Sequence, residues 1–353
     1  MLQASYSKKV FQFAFKARTS RGLMKDKASW FIKLWDDSNP EIFGIGECGP
    51  LPGLSPDFIP DFEKVLAEVV GNLNQTNNTP TLQHFYDTIP SQFPSIIFGI
   101  ETAFLDLQNG GKRLIYENAF TASKPIPING LVWMGDLDFM MHQINQKIAQ
   151  GFNCIKLKVG GLDFDRECDI LQYIRKRYFK NDIIIRLDAN GAFKIDDVLY
   201  KLCELEKYNI ESIEQPIKPG LPEMEELCRK SPIPIAFDEE LIGINSIEEK
   251  RELLTQLKPK YIILKPTLHG GLKGCTEWID MATSLNIGWW ITSALESNIG
   301  LNAICQFAGQ YNTTLHQGLG TGMIYENNIE SPLRVDKGLI RYDASMQWGE
   351  IVD

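Results

Sequence analysis

The sequence predicts a β/α barrel of eight parallel strands with a separate α+β unit ahead of it. Three observations carry that prediction. From Ile126 onward, short β-branched runs recur, each followed by a stretch of helical periodicity. Starting at Cys154, successive runs begin 29, 29, 21 and 28 residues apart, about one βα unit each. Most of the runs are apolar on both faces, as parallel strands covered by helices must be.

Taken in order, Ser5–Phe15 and Ala28–Asp36 read as antiparallel strands, and Ile42–Cys48 as a third that runs into the turn-rich GECGPLPGLSPD. Asp57–Leu73, Leu82–Thr88 and Ser95–Leu107 read as helices. Strands followed by helices make an α+β unit of their own, assigned to residues 1–122. The barrel, 123–326, takes its strands from Ile126–Val132, Cys154–Val159, Ile183–Asp188, Ser212–Gln215, Ile233–Asp238, Tyr261–Lys265, Ile287–Ser293 and Leu315–Gly318. Amphipathic helices lie between them, such as Asp165–Phe179 and Ser246–Leu257, the second opened by a serine cap ahead of Glu248 and Glu249. The tail, 327–353, holds short strands such as LIRY and is expected to return to the first unit and complete it. An open doubly wound sheet is the alternative arrangement of the same units.

Composition narrows the function. The net charge is −9 and no basic cluster is interleaved with aromatics, which argues against nucleic acid as a partner. No run approaches the roughly 20 apolar residues of a membrane span, and the first residues lack the apolar core of a secretory signal. The seven cysteines are scattered without a CxxC pair, which suits reduced thiols; the expectation is a soluble cytoplasmic protein with a small-molecule ligand. Nothing in the sequence argues an oligomeric state.

The chemistry sits at strand ends. Period-two alternation places Lys156 and Lys158 of CIKLKVG on one face; an edge strand blunted by lysines is the plain alternative. In IIIRLDANGAF the same alternation aligns Arg186, Asp188 and Asn190, although an isolated Asp-Ala-Asn is equally a turn cap. The next run ends on Glu214. In IPIAFDEE, Ala236 points inward, which selects Asp238 over Glu239. Three successive strands thus end in inward carboxylates, 26 and 24 residues apart, and barrel sites assemble at such ends. Three carboxylates brought together require protons or a hard cation, and a set without His or Cys favours Mg²⁺, with Mn²⁺ as the alternative, over zinc. Lys265 ends the following run. Ser293 lies among the hydroxyls closing strand seven, and Thr321 sits in GLGTG, a glycine turn whose free N–H groups can cradle an anion.

KxK, D-A-N, E-Q-P, D-E and K-P-T, in this order and spacing, resemble the enolase superfamily, muconate-lactonising-enzyme subgroup. GIGECGPLPG and PSIIFGIETAFLDL resemble its capping domain, so the likeness covers nearly the whole chain. K-P-T-L-H-G-G, S-A-L-E-S-N-I-G and G-L-G-T-G are most similar to the subgroup's o-succinylbenzoate synthase branch. The resemblance implies an enolase-type modified TIM barrel under an α+β cap. It also implies a hydro-lyase of menaquinone biosynthesis acting on a succinyl-hydroxycyclohexadiene carboxylate. It gives Asp188, Glu214 and Asp238 the metal, Lys158 the role of base, Lys156 that of its neighbour, and Lys265 that of an opposing ammonium. Arg186 and Asn190 are expected to position substrate or ligand, Glu239 to orient a lysine, and Ser20 to belong to a lid loop at 18–22, with a second lid at 49–55. His269 and His316 are expected to border the site.

Within the same fold, an N-succinylamino acid racemase or a dipeptide epimerase would use the same lysines and carboxylates. Dipeptide epimerases carry an Asp-x-Asp near strand eight, where this chain has LHQGLGTG. Muconate cycloisomerisation is a further alternative. A catalytically inactive small-molecule binding barrel is the reading from another class.

Overall fold

A computed structural model describes residues 1–19, 22–75 and 81–351. The chain opens with a meander of β1 (Leu2–Thr19), β2 (Gly22–Asp36) and β3 (Asn39–Cys48), paired antiparallel in that order. Three helices follow, α1 (Phe62–Gln75), α2 (Leu82–Thr88) and α3 (Pro94–Gln108). Leu2, Ala4, Ile32, Leu34, Leu66, Phe85 and Ile100 share one buried cluster, so the unit has a core of its own. The glycines of FGIGEC explain how closely α3 lies on β3. A Cβ on Gly46 would fall inside the van der Waals shell of the Gly99 carbonyl and 2.6 Å from Thr102 Oγ1.

The second unit alternates strand and helix. Its elements are β4 (Ile126–Pro127), β5 (Gly130–Val132), α4 (Leu137–Ala149), β6 (Cys154–Lys158), α5 (Phe164–Arg177), β7 (Ile184–Asp188) and α6 (Ile195–Glu206). Then come β8 (Ser212–Glu214), α7 (Glu223–Lys230), β9 (Ile235–Phe237), α8 (Ile247–Leu257), β10 (Tyr261–Leu264), α9 (Gly271–Ser284), β11 (Gly288–Ile291) and α10 (Asn298–Ala308). The serine cap expected at α8 is present and forms a full capping box: Ser246 accepts from Glu249 N–H, and Glu249 reaches back to Ser246 N–H.

Strands β5 to β11 form one parallel sheet of seven in sequence order, rather than a doubly wound order. Its two edges are joined by residues 317 and 318. Gln317 bridges Ile128 and Gly318 bridges Thr292, both in parallel sense. The predicted eighth strand is therefore this short bridge, and the sheet curls into a closed barrel. The predicted first strand is split in two, with the break beside Pro127, which offers no N–H to a ladder. Ile126–Pro127 pairs instead with β13 (Leu339–Tyr342), itself paired with β12 (Leu333–Asp336). The tail touches both units: β13 pairs with β4, while Asn327 Nδ2 donates to the Val10 carbonyl (2.8 Å) and Trp348 and Ile351 pack against the cluster of Phe11 and Phe31.

All seven cysteines are free thiols. Among the described residues no helix is long and apolar enough to cross a membrane.

Candidate active site

The site grows from the C-terminal ends of five neighbouring strands. Parallel register sets Lys158 beside Asp188 and Asp188 beside Glu214, while Glu214 pairs with Ala236, two residues before Asp238. Lys265 directly follows β10. Because the sheet curls, Lys156 and Lys158 on β6 face Lys265 across the barrel, with the three carboxylates on the strands between. Asn190, two residues after Asp188, and Gln215, directly after Glu214, take left-handed backbone with φ of 45° and 40°. Such backbone is costly for glutamine. Its side chain fixes it in place: Gln215 Nε2 donates to the Ile217 carbonyl (3.0 Å) and Glu240 Oε2 (2.8 Å), and Oε1 accepts from Glu240 N–H (3.1 Å).

The charges interlock. Lys156 Nζ lies 2.7 Å from Glu214 Oε2 and 3.0 Å from Asp188 Oδ2. Lys158 Nζ lies 2.6 Å from the same Asp188 oxygen and donates to Asn190 Oδ1 at 2.8 Å. Asn190 Nδ2 in turn donates to Glu239 Oε1 at 2.9 Å, so Glu239 is linked to Lys158 through an amide. Lys265 Nζ pairs with Asp238 Oδ2. Burial alone would make these ions costly, and pairing decides the outcome. Burial works to raise Asp188, yet Lys156 and Lys158 hold it well below the carboxylate range. Burial likewise works to raise Asp238, yet the charge of Lys265 holds it down to about 2. Glu214 goes the other way, raised by burial and then by the charge of Asp188. Lys156 and Lys265 would be lowered by burial, but the carboxylates beside them raise both.

Among the described residues no three acidic, His or Cys side chains converge as a ready-made ion cage, because the ammonium groups lie between them. The donor set nevertheless fits a hard divalent cation. All three carboxylates are buried, and Glu214 Oε1 and Asp238 Oδ1 accept no hydrogen bond. Two orphaned acceptor oxygens on neighbouring strands are a cost that an oxygen-seeking cation removes.

Above the ions lies a cleft. It is lined from the barrel by Asn129, Leu131, Trp133, Lys156, Lys158 and Lys265, and from the first unit by Met24, Leu51 and Leu54. Ser293 and Thr321 line its far side, their hydroxyls 2.6 Å apart. The turn at 49–55 therefore does roof the site. Ser20 lies outside the described residues.

Arg186 points the other way. Its Nε donates to Glu211 Oε2 (2.6 Å), its Nη1 to the His316 carbonyl (2.7 Å), and its guanidinium lies 4.0 Å from the Trp290 ring centre. Arg186 is in register with Lys156 on β6, but its partners turn it toward the barrel floor and it does not line the cleft. His316 shares that floor through Asn153 rather than bordering the site. The sequence reading also passed over Asn129, Leu131 and Trp133, although period-two alternation in PINGLVW, the same argument that found the lysines, puts all three inward.

Residues 140–346 match the family model described as Enolase C-terminal domain-like. The chain is 39% identical to the o-succinylbenzoate synthase of Desulfotalea psychrophila, over 96% of this chain and 98% of the relative. A crystal structure of MenC from the same organism superposes with a TM-score of 0.85 at 38% identity, covering 96% of this chain and 99% of that one. A dipeptide epimerase of Enterococcus faecalis, solved with Mg and L-Leu-L-Tyr, superposes with a TM-score of 0.83 at 18% identity, covering 96% of each chain.

Proposed function

This chain belongs to the enolase superfamily, and from that premise we propose that it is a metal-dependent o-succinylbenzoate synthase, a hydro-lyase. The relative that is 39% identical over nearly its full length carries that activity in its name. The dipeptide epimerase of Enterococcus faecalis shares the fold at 18% identity. The observation that supports the reading best is the placement of Lys158 and Lys265 on opposite walls, above three carboxylates on adjacent strands. In this reading residues 1–122 form the cap and 123–326 the barrel.

Asp188, Glu214 and Asp238 would hold Mg²⁺, or Mn²⁺ in its place. When bound, the ion supplies a fixed positive charge against which the substrate carboxylate takes up negative charge. Lys158 removes the proton from the carbon next to that carboxylate. A lysine does this only when neutral, and Lys156 shares with it the same Asp188 oxygen. The proton taken up by Lys158 then goes to the departing hydroxyl as the C–O bond breaks, so water leaves and the ring becomes aromatic. Asn190, braced by Glu239, aims Lys158. Lys265, kept as an ammonium by Asp238, faces the developing charge from the other wall. The apolar roof of Leu51 and Leu54, with Leu131 and Trp133, excludes water around the ring.

Chelation tests the metal part of this reading. EDTA-treated protein should lose turnover and regain it with added Mg²⁺, and dehydration that survives chelation would overturn the assignment.

A further inference from the structure

Lys265 is held at its backbone as well as at its ammonium. The Nδ1 atom of His269 accepts the Lys265 N–H at 3.0 Å, while His269's own N–H donates to the Lys265 carbonyl at 3.0 Å. One residue thus grips both peptide groups flanking the lysine, inside the turn Lys265-Pro266-Thr267-Leu268-His269. Pro266 brings no N–H to that turn, and the Leu268 N–H meets the same Lys265 carbonyl at 2.8 Å. The imidazole is 3% exposed. Accepting at Nδ1 fixes its tautomer: the ring is neutral and its hydrogen sits on Nε2. That Nε2 finds no acceptor, and it lies at a small cavity shared with Tyr86, Lys250 and Glu277 behind the lysine strand. A buried N–H left unpaired costs about 1–3 kcal/mol, so the ring is kept in place by what Nδ1 does. An imidazolium there would lose the Nδ1 acceptor and add a cation beside Lys265 and Lys250. Burial drives the ring away from that form, lowering it to about 3.

We propose that His269 is a positioning residue for the reaction: its neutral imidazole clamps the backbone of Lys265, fixing the height at which the ammonium meets the substrate across from Lys158. This inference rests on the dehydratase reading. A misplacement of about 1 Å in a charged group that acts mainly in the transition state costs up to about a hundredfold in rate. It leaves ground-state binding largely intact.

The experiment compares His269→Leu with His269→Asn in the full-length, Mg²⁺-loaded protein. Asparagine can set its Oδ1 near the former Nδ1 and accept the same N–H; leucine cannot. The expected result for His269→Leu is a kcat about ten- to a hundredfold lower with KM within about twofold, and for His269→Asn recovery to within a few-fold of wild type. Thermal unfolding is measured alongside, so that His269→Leu is read only from protein folded at the assay temperature. Equal losses in two folded variants, or a His269→Leu kcat at the wild-type value, would overturn the clamp. If His269→Leu does not fold, His269→Asn decides alone: wild-type folding with a kcat down a hundredfold would refute the proposal, and retained kcat supports it. Failure of the dehydratase reading is distinct, because wild-type protein would then show no turnover at all.

Discussion

The cap reaches into the barrel through Glu47, and replacing it tests whether that contact holds the two together. Glu47 is the last residue but one of β3 and is fully buried. Its Oε1 accepts from Ser29 Oγ (2.7 Å) and Ser297 N–H (2.9 Å), and its Oε2 from Ser297 Oγ (2.6 Å) and Gly300 N–H (2.9 Å). Ser297 and Gly300 lie at the start of α10, so the carboxylate of one unit serves the helix N-terminus of the other. A hydrogen bond to a charged group contributes about 1.5–3 kcal/mol, but four on one carboxylate do not add. Emptying a buried charged network costs about 3–5 kcal/mol, which sets the scale for Glu47→Ala. Lys27, buried beside Ser29, would also lose the nearest charge that opposes its burial. Glu47→Gln keeps the volume and one acceptor oxygen, so about half that loss is expected. Urea unfolding followed by tryptophan fluorescence measures it, with Trp30 in the cap as a local reporter. A total stability of about 5–15 kcal/mol makes the Ala loss easy to resolve. A Glu47→Ala protein within about 1 kcal/mol of wild type would refute the reasoning.

A second carboxylate of the cap, Glu101 on α3, accepts from Leu272 N–H (2.5 Å), Lys273 N–H (3.1 Å) and the Tyr86 hydroxyl. Burial outweighs those donors and raises it to about 7. A carboxyl raised in the folded state holds a proton that the unfolded chain releases near pH 4.3, so its contribution to stability is present below that pH and lost as pH rises toward 7. Between pH 5 and 8 wild type should therefore lose stability relative to Glu101→Gln, by at most about 3 kcal/mol, in paired urea titrations; a constant or growing difference would contradict this. Gly46→Ala should destabilise the cap by about 1–3 kcal/mol or more, read as a lower thermal midpoint, because the new Cβ meets the backbone of α3. Lys158→Ala should cut kcat by at least about a thousandfold with folding unchanged, whereas Lys265→Arg, which keeps the charge, should retain more activity than Lys265→Ala; steady-state kinetics check both.

Strand ends were the legible part of the sequence. Lys156 and Lys158, Asp188, Glu214 and Lys265 follow from period-two alternation and unit spacing, because parallel strands in register bring residues of equal height together. Alternation also separated Asp238 from Glu239, and the structure sets Asp238 on Lys265 and Glu239 on Asn190. The same rule misled at Arg186. Alternation gives the inward face but not the way a long side chain then bends: Lys156, in register with Arg186, reaches Glu214, whereas Arg186 turns to Glu211. Glu47 and Glu101 were invisible as latches, since their partners lie 250 and 171 residues away in sequence. The eighth strand was overdrawn for a related reason: closure needs only the Gln317 and Gly318 bridges, which propensity does not report.

The most direct test of the account is an absorbance assay of the purified chain with the succinyl-hydroxycyclohexadiene carboxylate and Mg²⁺, with Lys158→Ala as the control. The account predicts rapid loss of the diene chromophore, o-succinylbenzoate as the product, and no reaction above background in the variant. Wild-type protein that is folded and metal-loaded yet leaves the diene unchanged would contradict it.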